Sequence, residues 1–146
     1  MSGHSPLRAE ALRDARVNAG LTQHQLANRI GVAGGERVSR WELGTSTPTP
    51  AILSKLAKVL GVRIADLLVD ADGPADLRLL RLEAGYGSRE TARRAHLAAA
   101  TYIRWEAGAF SRMPADAELT PLARVLDVRL KVLRDALEES RRRRGV

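Results

Sequence analysis

Apolar residues recur along this chain at the three- and four-residue intervals that line one face of a helix, and no stretch sustains the alternation of a half-buried strand. Leu7 to Ala19 forms one such segment, stopped by Gly20, a residue type that ends helices without strain. The next begins at Thr22-Gln23-His24-Gln25, where the threonine hydroxyl and the glutamine three residues on can each satisfy a free backbone N–H. Leu26, Ala27 and Ile30 make its buried stripe, and Gly31 breaks it. Val38 and Trp41, three apart, anchor a short third helix. Thr49-Pro50 caps a fourth that runs to Leu60-Gly61, and Ile64 to Leu68 make a last turn or two. Five short helices are thus predicted from the first half of the chain.

The pattern then repeats. Leu12, Arg13, Arg16, Ala19 and Gly20 recur 65 residues later as Leu77, Arg78, Arg81, Ala84 and Gly85. Arg40-Trp41-Glu42 with Gly44 recurs after 64 as Arg104-Trp105-Glu106 with Gly108. Leu56-Ala57, Val59-Leu60 and Val62-Arg63 recur after 66 as Leu122-Ala123, Val125-Leu126 and Val128-Arg129. Offsets that drift by a residue or two between matched helices are what loop variation between two copies of one fold produces. The expected organisation is a domain over 1–70, a diverged copy over 71–140 and a basic tail over 141–146, with Asp70-Ala71-Asp72-Gly73-Pro74 as a polar linker.

Composition narrows the chemistry. With only Trp41, Trp105, Tyr86, Tyr102 and Phe110 as aromatics, the cores must be filled by Leu, Ile, Val and Ala, which suits small helical domains. No apolar run approaches the roughly 20 residues that span a bilayer, and the start of the chain lacks a charged-then-apolar signal pattern, so a cytoplasmic protein with no membrane partner is expected. Without cysteine there are no thiolate sites, and His4, His24 and His96 lack ligand spacing; neither a metal nor a cofactor is expected. No phosphate loop, cysteine nucleophile or Ser-His-acid constellation points to an enzyme. The net charge of +7 points to an anionic partner, and the excess is local: 9 basic and 6 acidic residues over 1–70, 11 and 11 over 71–140, then four arginines.

The order Leu12, Arg16, Gly20-Leu21-Thr22-Gln23, Leu26-Ala27, Gly31-Val32, Val38-Ser39-Arg40-Trp41-Glu42, Gly44, Pro48, Leu53, Leu56-Ala57, Leu60-Gly61-Val62 resembles the Cro/C1-type (XRE-like) helix-turn-helix regulators of phages and bacteria. The second copy resembles them more loosely. The resemblance implies an all-α fold of two tandem five-helix lambda-repressor-like domains, with double-stranded DNA as partner. A helix entering the major groove must show polar side chains to base edges while its back is held in a core. Val38 and Trp41 are the anchors here. Gly35, Glu36, Arg37, Ser39 and Arg40 are the facing residues, Arg40 being suited to a bidentate contact with guanine. The resemblance puts Gln23 beside a phosphate at the start of the second helix, where backbone amides also favour an anion. It gives Thr45, Ser46 and Thr47 to the opposite strand's backbone, contacts that set register rather than sequence. It also implies structural ion pairs, Arg16 with Glu42 and Arg81 with Glu106, leaving Trp41 and Trp105 as core plugs. Ten residues separate Gly31 from Glu42 where the family usually has nine, and Gly34-Gly35 is expected to absorb the extra one in a longer turn.

In the second copy Gly87-Ser88 replaces Thr22-Gln23, Thr91 replaces Leu26, and His96 replaces the turn glycine, as histidine can because it tolerates positive φ. Its third helix offers Thr101 and Arg104 to bases, and Ser88, Arg89 and Arg93 are candidates for phosphates. Two readings stay open, DNA contact or a degenerate copy used for packing or dimerisation. Pro121 stands where the first copy has Lys55; because proline breaks the helical ladder, a shorter helix capped by Thr120 is expected, with Pro121 at its first position. Leu130, Leu133, Ala136 and Leu137 form an apolar stripe that packs either on its own domain or on a second subunit of a homodimer. Arg141 to Arg144 form either a basic arm for phosphates or a narrow minor groove, or a helix end in which Glu138 and Glu139 pair with Arg142 and Arg143.

The expected function is that of a sequence-specific transcription regulator, a repressor that occupies an operator in duplex DNA. The alternative is an antitoxin-like or adaptor module whose second copy binds a protein partner.

Overall fold

The computed structural model describes residues 7–145; His4, with the rest of residues 1–6, and Val146 lie outside it. Among the described residues every regular element is helical, as the periodicity predicts, and the chain divides into two compact units at Asp72 and Gly73.

The first unit comprises α1 (Ala9–Asn18), α2 (Gln23–Ile30), α3 (Glu36–Leu43), α4 (Pro50–Leu60) and a 3₁₀ turn, Ile64–Leu67. The capping box at α2 is complete: the Gln25 N–H donates to Thr22 Oγ1 at 3.0 Å, and the Thr22 N–H to Gln25 Oε1 at 2.9 Å. Thr49 caps α4 with Pro50 at its first position. Leu12, Leu26, Ala27, Ile30, Val38, Trp41, Leu53 and Leu56 fill the core. The first helix is shorter than predicted. Leu7 pairs in an antiparallel bridge with Leu68, and the Arg8 N–H donates to Leu67 O at 2.7 Å. The apolar Leu7 is therefore buried by closing the unit onto its 3₁₀ end instead of by extending α1, a choice that periodicity does not distinguish.

The second unit comprises α5 (Leu77–Ala84), α6 (Ser88–Arg94), α7 (Ala99–Glu106), α8 (Asp116–Leu126) and α9 (Leu130–Arg144). His96 takes φ 58° in the turn after α6, and buried Thr91 satisfies its hydroxyl by donating to Gly87 O at 2.9 Å. Three expectations are corrected or decided here. The helix with Pro121 is not shortened: α8 starts at Asp116 and runs through the proline, because a helix beginning only at Pro121 would leave Leu119, fully buried with Leu122 and Leu126 in the same core, outside it. Proline removes the bond to Ala117 O, but Ala117 is an exposed residue, while Thr120 Oγ1 donates to Asp116 O at 2.8 Å. The α9 stripe is settled as internal, since Leu133, Ala136 and Leu137 are at most 1% exposed within this unit's own core.

Arg141 to Arg144 are not a separate tail. They complete α9, held by Glu138 to Arg141 and by Glu139 to Arg142 and Arg143. Longer reaches fix them further: Arg141 donates to Ser111 O at 2.9 Å and lies over the Phe110 ring, and Arg143 donates to Pro74 O at 3.0 Å. The neighbouring Ser140 Oγ accepts the Leu77 N–H at 3.0 Å, so α9 binds both the start of α5 and the loop after α7. Gly108, at φ 72°, is the point of closest approach: a Cβ there would lie 2.3 Å from Ser140 O.

Candidate nucleic-acid interface

In the first unit α3 is fixed from behind. Val38 is fully buried and Trp41 is 2% exposed, against α1 and α2. Glu36, Arg37 and Arg40 are left exposed on the outer side, with Ser39 half-buried. Arg40 is 3.8 Å from Glu36 with both groups well solvated, a pair worth little energetically. Arg37 lies over the Trp41 ring, 5.6 Å from its centroid. The turn into α3 takes its extra residue at Gly34, φ 67°, and Gly35 then packs against α2, where a Cβ would meet His24 N at 3.0 Å. Gly35 therefore allows the close approach of the two helices and points inward, not outward.

A buried ion pair ties α1 to the end of α3. Arg16 Nε donates to Glu42 Oε2 at 2.6 Å and Nη2 to Oε1 at 3.1 Å, while Nη1 donates to Leu21 O at 2.9 Å. The hydrogen bond from Arg16 to Glu42 raises the guanidinium's pKa above its ordinary value, so its charge is retained at any accessible pH. Gln23 donates its amide to Glu42 Oε1 at 3.0 Å, a third bond on the same carboxylate. Sequence reasoning gave Gln23 to a phosphate and missed this inward role. Thr45 Oγ1 donates to Arg40 O at 3.2 Å, closing the end of α3, and Ser46 and Thr47 are exposed beside it.

The second unit rebuilds the ion pair with one substitution of parts. Arg81 Nε donates to Glu106 Oε1 at 2.7 Å, Nη2 to Oε2 at 3.1 Å and Nη1 to Tyr86 O at 3.0 Å. The third bond to the carboxylate comes from Tyr102, whose hydroxyl donates to Oε1 at 2.7 Å. Tyr102 occupies the place of Val38, and sequence reasoning missed it, although its i, i+4 spacing to Glu106 was visible. Burial first, and the Glu106 charge second, push the phenol's pKa well above its ordinary value. Burial works to lower the Arg81 pKa, but the hydrogen bond and charge of Glu106 outweigh it and raise it. Trp105 is 5% exposed behind α7.

Residues 12–67 and 77–133 each match the helix-turn-helix family, together more than half of the chain. The chain belongs to the Cro/C1-type helix-turn-helix family. A phage protein from Vibrio cholerae, the cryptic phage CTXphi transcriptional repressor RstR, is 41% identical over 68 residues, which is 47% of this chain. The chain spans 60% of that relative's length. No solved structure matches.

The two helix-turn-helix segments differ in what they expose. Around α6, Arg89 is exposed, Ser88 half-buried, and Arg93 stands 3.9 Å from Glu90. Arg94 donates to Glu90 at 3.1 Å and lies over the Tyr86 ring at 4.6 Å, so Glu90 draws on both arginines. On α7, Arg104 is exposed and Thr101 half-buried, both lining a shallow groove with Ser111 and Arg112. Among the described residues no three acidic or histidine side chains gather as metal ligands, and no helix is long and apolar enough to cross a membrane.

Proposed function

We propose that this protein is a sequence-specific transcription regulator that binds duplex DNA and represses by occupying an operator, with α3 of the first unit in the major groove. The observation that carries the reading is the division of α3: Val38 and Trp41 held in the core, and Glu36, Arg37 and Arg40 left exposed on one side, in a chain of the helix-turn-helix family. Arg40 takes guanine through a bidentate pair, its weak link to Glu36 being readily exchanged. Arg37 and Ser39 flank it, and Ser46 and Thr47 meet phosphates after α3. The likeness to a phage repressor supports repression in particular.

Sequencing the duplexes that the protein retains from fragmented genomic DNA at near-physiological salt tests this. A single enriched motif is the expected result. Weak, salt-sensitive retention without a motif contradicts it, because counterion release alone yields affinity without sequence preference.

A further inference from the structure

The 64-residue offset between Arg40-Trp41-Glu42 and Arg104-Trp105-Glu106 places Ala99, Ala100, Thr101, Ile103 and Arg104 where the first unit has Gly35, Glu36, Arg37, Ser39 and Arg40. Ala99, Ala100, Ile103 and Arg104 are exposed, Ile103 retaining 49% of its surface. A charged, hydrogen-bonding face has become a face of methyl groups with one arginine retained. Its anchoring is the same. The Arg81–Glu106 pair and buried Trp105 hold α7 as Arg16–Glu42 and Trp41 hold α3.

The surroundings decide what covers this face. Arg104 and Arg112 line one groove with Thr101, and Arg89 and Arg93 are exposed on α6, which packs against α7. That groove also holds one acid, Glu118, which accepts the Ala115 N–H at 3.1 Å and sets one negative charge against the two arginines. An apolar strip that carries one guanidinium group, Arg104, and adjoins a groove holding a second, Arg112, is complementary to apolar groups set within a polyanion. In duplex DNA those groups are the C5 methyls of thymine, which stand in the major groove between two phosphate backbones.

We infer that the second unit reads thymine methyl groups in the major groove through Ala99, Ala100 and Ile103, with Arg104 on an adjoining guanine. This rests on the reading of the chain as a duplex-binding regulator and specifies what its second half recognises. The second unit discriminates by apolar contact, the first by hydrogen bonding.

The test uses the full chain and the duplex recovered by selection, with each thymine replaced in turn by deoxyuridine. That change deletes the C5 methyl and keeps the base pair. Affinity is expected to fall about fourfold for each contacted methyl, the transfer value of one buried methyl group. The sensitive thymines lie outside the positions whose preference changes with Arg40→Ala. In Ile103→Ser, an exposed-site change, thymine and uracil bind alike at the position that Ile103 contacts, while the positions read by Ala99 and Ala100 keep their sensitivity. The inference is overturned if uracil is neutral outside the Arg40-dependent positions, or if Ile103→Ser leaves the effect unchanged at every one of them. It is equally overturned if the recovered site spans only the Arg40-dependent part and Ile103→Ser instead changes the oligomeric state, since a second copy then covers α7. Selection that yields no motif overturns the regulator reading itself, and a motif insensitive to methyl loss overturns this inference alone.

Discussion

At the scale of single residues the two units rest on one device, a carboxylate after tryptophan that receives three hydrogen bonds. The Glu42 side chain is 4% exposed and Arg16 13%, so Glu42→Ala leaves a guanidinium nearly buried without its partner. The first unit is expected to lose about 3 kcal/mol, measured by urea denaturation of the full chain. A loss under about 1 kcal/mol would mean that water replaces the carboxylate. Tyr102 predicts a pH effect. Its folded pKa is raised, so the stability linked to its neutral form is complete below the ordinary phenol value near 10 and declines as pH rises beyond it, where only the unfolded chain ionises. Tyr102→Phe should cost about 1 kcal/mol at neutral pH and flatten that alkaline decline. An unchanged slope in the variant would assign the decline to other groups.

At the scale of elements, glycines with positive φ separate strain from crowding. Gly44 at φ 78° would have nothing within 4 Å of an added Cβ, whereas one at Gly108, φ 72°, would meet Ser140 O at 2.3 Å. Gly44→Ala is expected to cost about 1 kcal/mol, the strain alone, and Gly108→Ala at least twice that, because α9 must move away from α7. Equal thermal shifts would show that α9 yields freely. Much of this level was legible in the residues: the capping box at Thr22, the repeat, and the positive φ at His96 all follow from local chemistry. Two features were not, each because a distant neighbour decides it: Pro121 stays inside α8 because Leu119 must be buried, and Gln23 turns to Glu42 because α2 meets α3 there. For Arg141 to Arg144 the residues left a basic arm and a helix end open, and the acceptors at Ser111 and Pro74 accompany the helix end.

At the scale of the molecule, α3 exposes a polar face and α7 an apolar one on a single chain, and the proposed function makes both of them reading faces. Such a pair suits an asymmetric operator, with no need for the palindrome that a two-fold dimer requires. In the proposed function the basic excess supplies affinity that falls with salt, and the exposed side chains of α3 are expected to supply discrimination in the first unit. The most direct test of that central claim is the affinity of the selected duplex relative to a scrambled one, at near-physiological salt, for the wild type and for Arg40→Ala. The expected ratio is about 10³ or more for the wild type, with a roughly tenfold or greater loss of it in the variant while the scrambled duplex is bound nearly as before. A ratio near one for the wild type, or one that Arg40→Ala leaves intact, would contradict it.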